Sequence, residues 1–217
     1  MTEPSFLTDT RASYDTVAEA YDELVREDLA AKPLDRALLA VFAELVRARG
    51  GPVVDVGCGT GRNTAHLHGL GLEVSGIDLS PGMLAVARRN HPGLRFSEGS
   101  MTGLDLPEAA LGGIAAVYST IHVPLELLPG VFAAFRRALV PGGEVLVVFQ
   151  AGEEPPLHLT EALGHPVTLA FHRRTPERMA GLLEEAGLRV HTRVVREPED
   201  SERTRHAYLL ARRPAHE

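Results

Sequence analysis

Three glycines at alternate positions, Gly57, Gly59 and Gly61, follow a short apolar run that contains one acid, Val53-Val54-Asp55-Val56. Glycine reaches backbone angles closed to other residues. This spacing therefore builds a tight turn whose bare backbone can meet a ligand, with the amides of the next helix aimed at it. A dinucleotide fingerprint needs its third glycine at position 62, where the chain has Arg62, and no Gly-Lys-Ser/Thr phosphate loop is present. Asp55 would repel a pyrophosphate but suits positive charge, such as the sulfonium and ammonium of a methyl donor. The next strand ends in Asp78, followed by Leu79, and a carboxylate there can accept hydrogen bonds from both hydroxyls of a ribose. Cys58, the only cysteine, contributes packing or backbone to the loop rather than thiol chemistry.

These residues need a frame. After residue 50, short β-branched runs alternate with longer helical periods, the pattern of an α/β, mostly parallel sheet with crossover helices. Strands are predicted over 52–56, 72–77, 94–97, 114–119 and 144–150. Two helices precede them, over 9–26 and 33–49. In the second, Leu34, Leu38, Val41, Phe42, Leu45 and Val46 share one face, and Gly50-Gly51 stops it. Another helix begins at Gly61, one has Ser80 as its N-cap with Pro81 in its first turn, and one runs over 125–139 before Pro141-Gly142-Gly143. Residues 151–174 show no clean period. This long connection leaves the carboxyl end of a strand, where such sheets bind ligands, and is expected to be a substrate lid. A helix from Thr175-Pro176 to Ala186 and strands over 188–196 and 204–211, joined by the charged turn 197–203, close the chain as a hairpin.

At 217 residues the chain reads as a single domain, 1–217. A net charge of -7, with arginine pairs scattered along the sequence, argues against a nucleic-acid partner. No run is long and apolar enough to span a membrane, and residues 1–11 lack the layout of a secretory signal. With one cysteine and no thiol cluster, a cytoplasmic location is expected. His158, His165 and His172 are spaced too irregularly for a helix-borne metal site, so no metal is expected. Arg173 and Arg174 are candidates to meet an anionic substrate or to bind the neighbours of the final helix.

With these motifs in place the sequence resembles the class I S-adenosylmethionine-dependent methyltransferases, and within them the small-molecule branch related to ubiquinone and menaquinone methyltransferases. The resemblance rests on Val53 to Gly61, Asp78, the late loop Leu139-Val140-Pro141-Gly142-Gly143-Glu144, and Tyr14-Asp15 with Tyr21-Asp22. It implies a Rossmann-like seven-stranded sheet with helices on both faces and a C-terminal antiparallel hairpin. It implies residues 1–50 as helices over the cofactor site, with Tyr14 and Tyr21 lying over cofactor and substrate, and S-adenosylhomocysteine as product. One position departs from the pattern: where the family usually shows Gly-Asp-Ala after the third strand, this chain has Gly99-Ser100-Met101. Ser100 can accept the adenine amino hydrogen bond more weakly than an Asp, and Met101 and Met83 are candidates to sandwich the ring. Leu79 and Ser119 complete the expected cofactor contacts.

Methyl transfer from a sulfonium is a one-step displacement, so positioning is the protein's main task, and a general base matters only when the acceptor must lose a proton. His122, just past the fourth strand, is the candidate base, with Tyr14 or Tyr21 as orienting groups. The stretch Tyr118-Ser119-Thr120-Ile121-His122 lacks the Asn/Asp-Pro-Pro-aromatic turn of DNA amino-methyltransferases and the paired glutamates of protein-arginine methyltransferases. A small-molecule acceptor remains. The alternative is a protein that keeps the fold and cofactor for a non-methylating or regulatory role.

Overall fold

A computed structural model of the chain describes residues 4–153, 155–199 and 202–215. Residues 1–3 of the amino-terminal segment, Glu154 of the 151–174 connection, residues 200–201 of the terminal turn and residues 216–217 lie outside the described residues.

The first glycine loop grows out of strand β1 (Val53–Val56), all four of whose side chains are buried. Alternation sorts them: Val54 and Val56 pack on one face of the sheet and Val53 on the other. β1 pairs in parallel with β2 (Val74–Asp78) on one side and β4 (Leu111–Val117) on the other. β3 (Arg95–Glu98) flanks β2 and β5 (Leu139–Ala151) flanks β4, both in parallel. β9 (Arg205–Arg212) lies antiparallel to β5, and β8 (Arg189–Arg196) antiparallel to β9. The order β3-β2-β1-β4-β5-β9-β8 is the expected Rossmann-like sheet with its C-terminal hairpin. Strand order reverses between β1 and β4, and open α/β sheets bind ligands beyond the carboxyl ends of the strands at that reversal.

Helices cover both faces. α3 (Pro33–Arg49) has the predicted bounds and buries Leu38, Leu39, Phe42, Ala43 and Val46 against one face. α6 (Leu128–Ala138) and α7 (Pro176–Glu185) pack on the other through Phe132, Phe135, Met179 and Leu183. A 3₁₀ turn, Leu125–Leu127, precedes α6, so the helix starts later than predicted. Pro141-Gly142-Gly143 does not form a separate loop: it is the start of β5, where the register shifts opposite Leu111 and Gly113. Three further helices, α1 (Ser5–Val25), α4 (Arg62–Gly69) and α5 (Pro81–Asn90), border the ligand end of the sheet. A short helix not predicted from sequence, α2 (Asp28–Ala31), links α1 to α3. No helix among the described residues is long and apolar enough to cross a membrane.

The connection over 151–174 is more regular than its sequence suggests. β6 (Leu157–Ala162) and β7 (His165–Phe171) form a separate antiparallel pair. Val167, Leu169 and Phe171 alternate along β7 and pack with Val17, Ala18 and Met83 of α1 and α5. The turn, Leu163-Gly164, has positive φ at both residues (52° and 76°), as a tight hairpin with a primed turn requires. Leucine is a poor residue for that angle, which removed the usual turn signal. Arg174 is not among the residues that line the cavity described below. It is buried and donates to the carbonyls of Thr120, at 3.2 Å, and Val123, and burial lowers its pKa to about 10. It ties the end of the hairpin to the segment after β4.

Candidate active site

A cavity opens at the strand-order reversal, with about 1030 Å³ of empty space including its mouth. Its floor is the glycine loop with Asp78, and Ser119 and His122 border it beyond β4; its cover is α1. The loop's shape follows from local contacts. Gly57 has φ 76°, and a Cβ there would lie 2.2 Å from Ser119 Cβ. The amides of Gly57 and Cys58 both donate to the Ile77 carbonyl, and that of Gly59 donates to Asp78 Oδ2 at 2.7 Å. These three amides therefore hold the loop against β2 rather than facing the cavity.

Asp78 accepts from Gly59 N with one oxygen and from Ser80 N, at 2.9 Å, with the other. Each carboxylate oxygen keeps a second lone pair. Burial raises the Asp78 pKa, with the backbone hydrogen bonds opposing it.

Two of the expected cofactor contacts lie elsewhere. Asp55 and Gly61 are not among the cavity-lining residues. Alternation turns Asp55 to the face opposite Val54 and Val56, where Thr64 of α4 donates to its Oδ2 at 2.7 Å and its Oδ1 is buried with no hydrogen-bond partner among the described residues. Gly61 ends the loop at φ 82°, packed so closely that an added Cβ would meet Phe96 at 2.8 Å. Asp55 thus supports the loop from beneath instead of facing a cation directly.

Burial pushes the Asp55 pKa up to about 6, despite the Thr64 hydrogen bond. A folded pKa raised above the unfolded value means stability is lost as pH rises from the unfolded pKa, near 4, to about 6, and is level above that. The full cost is about 3 kcal/mol. Asp55→Asn escapes it but leaves an amide N–H without an acceptor, a loss of about 1–2 kcal/mol. The variant is expected to be more stable than the parent by about 1–2 kcal/mol at pH 8 and less stable by about 1–2 kcal/mol below pH 4, where the ionisation cost is gone and the unpaired amide remains. Urea unfolding at both pH values measures it, and a pH-independent difference would contradict the buried, raised carboxyl.

The remaining expected residues, Tyr14, Tyr21, Cys58, Leu79, Met83, Ser100, Met101, Ser119 and His122, all line the cavity. Ser100 caps a 3₁₀ turn, Met101–Gly103, by accepting from Thr102 N at 3.2 Å, and its hydroxyl lies 2.9 Å from that of Thr102. Tyr14 and Tyr21 project from α1 seven residues apart, edge to face at 6.1 Å between ring centres. Tyr14 Oη lies 2.7 Å from His122 Nε2, and His122 Nδ1 lies 2.9 Å from the Ala170 carbonyl of β7. A carbonyl only accepts, so Nδ1 carries the proton and Nε2 accepts from the Tyr14 hydroxyl. Burial lowers the His122 pKa to about 4. The ring is therefore neutral at physiological pH, held between Tyr14 and Phe171.

Sequence reasoning missed several wall residues. Phe6, Leu7 and Thr10 come from the first turns of α1, and Arg62 and Asn63 open α4. Arg62 and Asn63 directly follow the third glycine, and their place at a helix start was the available signal. Tyr118 lines the wall with φ 54°, uncommon for an aromatic residue, and lies 2.7 Å from His206 Nδ1. Asn63 Oδ1 and Ser119 Oγ are buried with no hydrogen-bond partner among the described residues. An acceptor and a hydroxyl in that condition fit a ligand carrying both a cationic and an anionic group, as the amino-acid end of S-adenosylmethionine does. Among the described residues no group of three or more His, Cys, Asp or Glu could hold a metal ion.

The chain is similar to known methyltransferases. A family described as a methyltransferase domain matches residues 53–143, from β1 to the start of β5. Demethylmenaquinone methyltransferase of Chlorobaculum tepidum is 27% identical over 182 residues, 81% of this chain and 71% of that protein. Seven further curated methyltransferases are matched over 36% to 58% of their own length. The solved DhpI-SAH complex superposes with a TM-score of 0.74 at 23% identity, covering 98% of this chain and 99% of that one. So does 1,6-didemethyltoxoflavin-N1-methyltransferase of Burkholderia thailandensis, bound to 1,6-didemethyltoxoflavin and S-adenosylhomocysteine, with a TM-score of 0.73 at 20% identity over 99% and 92%. The two structures share the fold from end to end, and the matched domain covers the glycine loop, Asp78 and the strands between. Residues 53–143 are thus similar to a methyltransferase domain, and the whole chain has the fold of these S-adenosylhomocysteine-bound proteins.

Proposed function

We propose that the protein methylates a hydroxyl or amine of a small molecule, and that Tyr14 and His122 receive the proton the acceptor loses. The observation that carries this reading is the 2.7 Å contact between Tyr14 Oη and His122 Nε2 on the cavity wall. S-adenosylmethionine, when bound, supplies a methyl group already activated on a sulfonium. Asp78 would take the ribose hydroxyls, and Ser119 and Asn63 the amino-acid end. Met83, Leu79, Ser100 and Met101 would border the adenine, with the backbone of Gly57, Cys58 and Gly59 beneath. Tyr14 and Tyr21 would close over the reacting end and help align the acceptor, a task worth roughly 7–11 kcal/mol when complete. The cover of α1 leaves a cavity of small-molecule size, within or near the roughly 300–1,000 Å³ common for such sites. A cytoplasmic setting, supported by a single buried cysteine, completes the reading.

The test is turnover. The protein is incubated with S-adenosylmethionine and a broad panel of phenols, amines and carboxylates, and S-adenosylhomocysteine is followed by mass spectrometry alongside any compound gaining one methyl. Methylation of phenols or amines is expected. Production of S-adenosylhomocysteine with carboxylates alone would remove the proton-accepting role, and none above background would remove the enzyme reading.

A further inference from the structure

The two Tyr-Asp pairs of α1 place tyrosines over the cavity, and their aspartates do something separate. Tyr14 and Tyr21 turn inward. Asp15 and Asp22, one residue on from each, meet opposite ends of α5. Asp15 Oδ1 accepts from Ser80 Oγ at 2.6 Å and from Gly82 N at 2.8 Å, at the start of α5. Asp22 Oδ2 accepts from Asn90 Nδ2 at 3.0 Å, at its last residue. Burial pushes the Asp22 pKa up, but hydrogen bonds from Arg26, Asn90 and Thr60 hold it below its ordinary value, so it stays ionised. Thr60 belongs to the glycine loop, so Asp22 joins α1, α5 and that loop at one buried point.

The anchors are unequal. Asp22 is 4% exposed, whereas Asp15 is exposed to solvent. Gly82 shows how close the Asp15 contact is: a Cβ there would lie 2.9 Å from Asp15 Cα and 3.1 Å from its carbonyl oxygen. Ser80 Oγ also accepts from Met83 N at 3.0 Å, so α5 keeps its own cap whether or not Asp15 is present. The first half of α1, carrying Phe6, Leu7, Thr10 and Tyr14, covers the cavity mouth, and besides the exposed Asp15 contact it is held by Arg11 Nε, which donates to the Leu79 carbonyl at 3.3 Å. Ser13 ties β7 to the same half through two hydrogen bonds with Thr168, so the hairpin is coupled to it.

From this geometry we infer that Asp15 and Asp22 are positioning residues that clamp the cavity cover to α5, with Asp22 as the fixed anchor and Asp15 as the releasable latch for cofactor exchange. The inference rests on the cavity being the S-adenosylmethionine site. Release of S-adenosylhomocysteine requires the first half of α1 to lift, and breaking Asp15 from Ser80 and Gly82 is one step of that opening.

Asp15→Ala and Gly82→Ala attack the contact from opposite sides. Stopped-flow release of S-adenosylhomocysteine is measured for each, together with hydrogen exchange of the ligand-free proteins. Loss of a contact of this capping type corresponds to roughly fivefold faster release. Both variants are expected to show it, with faster exchange confined to the first half of α1 and to β7, and β1 and β4 unchanged. The double variant is expected to add little, since both changes remove one contact. Glu19→Ala, which removes only the exposed Glu19–Arg89 pair, is the control and is expected to leave release unchanged. Release and α1 exchange at the parent level in both single variants would overturn the latch, as would faster exchange throughout the sheet. If the parent shows no S-adenosylhomocysteine binding by calorimetry, the cofactor reading fails, an outcome distinct from normal binding with unaltered release.

Discussion

Asp78→Ala is expected to weaken S-adenosylmethionine binding about a hundredfold, the loss of about 3 kcal/mol carried by two charge-assisted hydrogen bonds at the lower end of their range. Burial of the carboxylate does not offset this, because the raised pKa belongs to the ligand-free protein and its cost falls on stability, not on affinity. The same carboxylate holds Gly59 N and Ser80 N, so alanine also frees the crossing of the loop onto β2. Asp78→Asn separates the two effects. An amide oxygen can keep one of the backbone hydrogen bonds, but its NH₂ faces a donor on the other side. It should bind between the parent and the alanine variant. A pH arm follows with its sign fixed. The folded pKa is raised, so as pH falls the carboxyl takes its proton earlier than an ordinary aspartate and stops accepting at that oxygen. Affinity in the parent therefore declines on the acid side, and affinity in Asp78→Ala does not follow the same decline. Calorimetry at pH 7.5 and pH 5 measures both, and unchanged affinity in Asp78→Ala would remove the ribose contact.

How much of this site the sequence displays depends on the range of each interaction. The glycine loop, Asp78 and the Ser80-Pro81 helix start are local signals, each set by its neighbours in the chain, and α3 falls within its predicted limits because its apolar stripe and the Gly50 stop are local too. Asp55 shows the limit of such reading. Its charge points to a cation, but strand alternation, visible in Val54 and Val56, turns it under the loop toward Thr64. The hairpin over 157–171 was hidden differently. Its alternating Val167, Leu169 and Phe171 follow Pro166 and a Leu163-Gly164 turn, and a leucine at positive φ carries none of the usual turn signal. Arg174 is the same case at one residue: an arginine reads as surface charge until its carbonyl partners, more than fifty positions earlier, are known. Longer in range than Arg174 and its carbonyls is the pairing of Tyr14 with His122, 108 residues apart. Both residues were recognisable as candidates; their contact depends on α1 lying across the carboxyl end of β4.

That contact sets the second large effect. Tyr14→Phe and His122→Ala are each expected to lower kcat by about a hundredfold, the lower end of what a positioned proton acceptor contributes. The double variant should lose little more, since Oη and Nε2 act as one unit. With a pKa of about 4, His122 is too weak a base to ionise an alcohol beforehand. In the proposed relay it would take the proton as the acceptor oxygen or nitrogen becomes positive during attack: the acceptor's proton would pass to Tyr14 Oη, and Tyr14's own to Nε2. Nδ1–H stays on the Ala170 carbonyl throughout, so the imidazolium that forms is already paired on its far side. The pH consequence separates this arrangement from an ordinary histidine base. Because the folded pKa is depressed, Nε2 remains available as pH falls from 8 to 5, and the acid limb attributable to His122 lies near pH 4. An exposed imidazole would place that limb near 6.5. Comparing kcat profiles of the parent and His122→Ala between pH 4.5 and 8, at donor concentrations that saturate each, shows whether a limb near 6.5 is present. S-adenosylhomocysteine affinity of Tyr14→Phe and His122→Ala within about threefold of the parent would assign the loss to proton acceptance rather than to a collapsed cofactor site. Near-parental kcat in Tyr14→Phe, or an acid limb at 6.5 that His122→Ala abolishes, would rule the relay out.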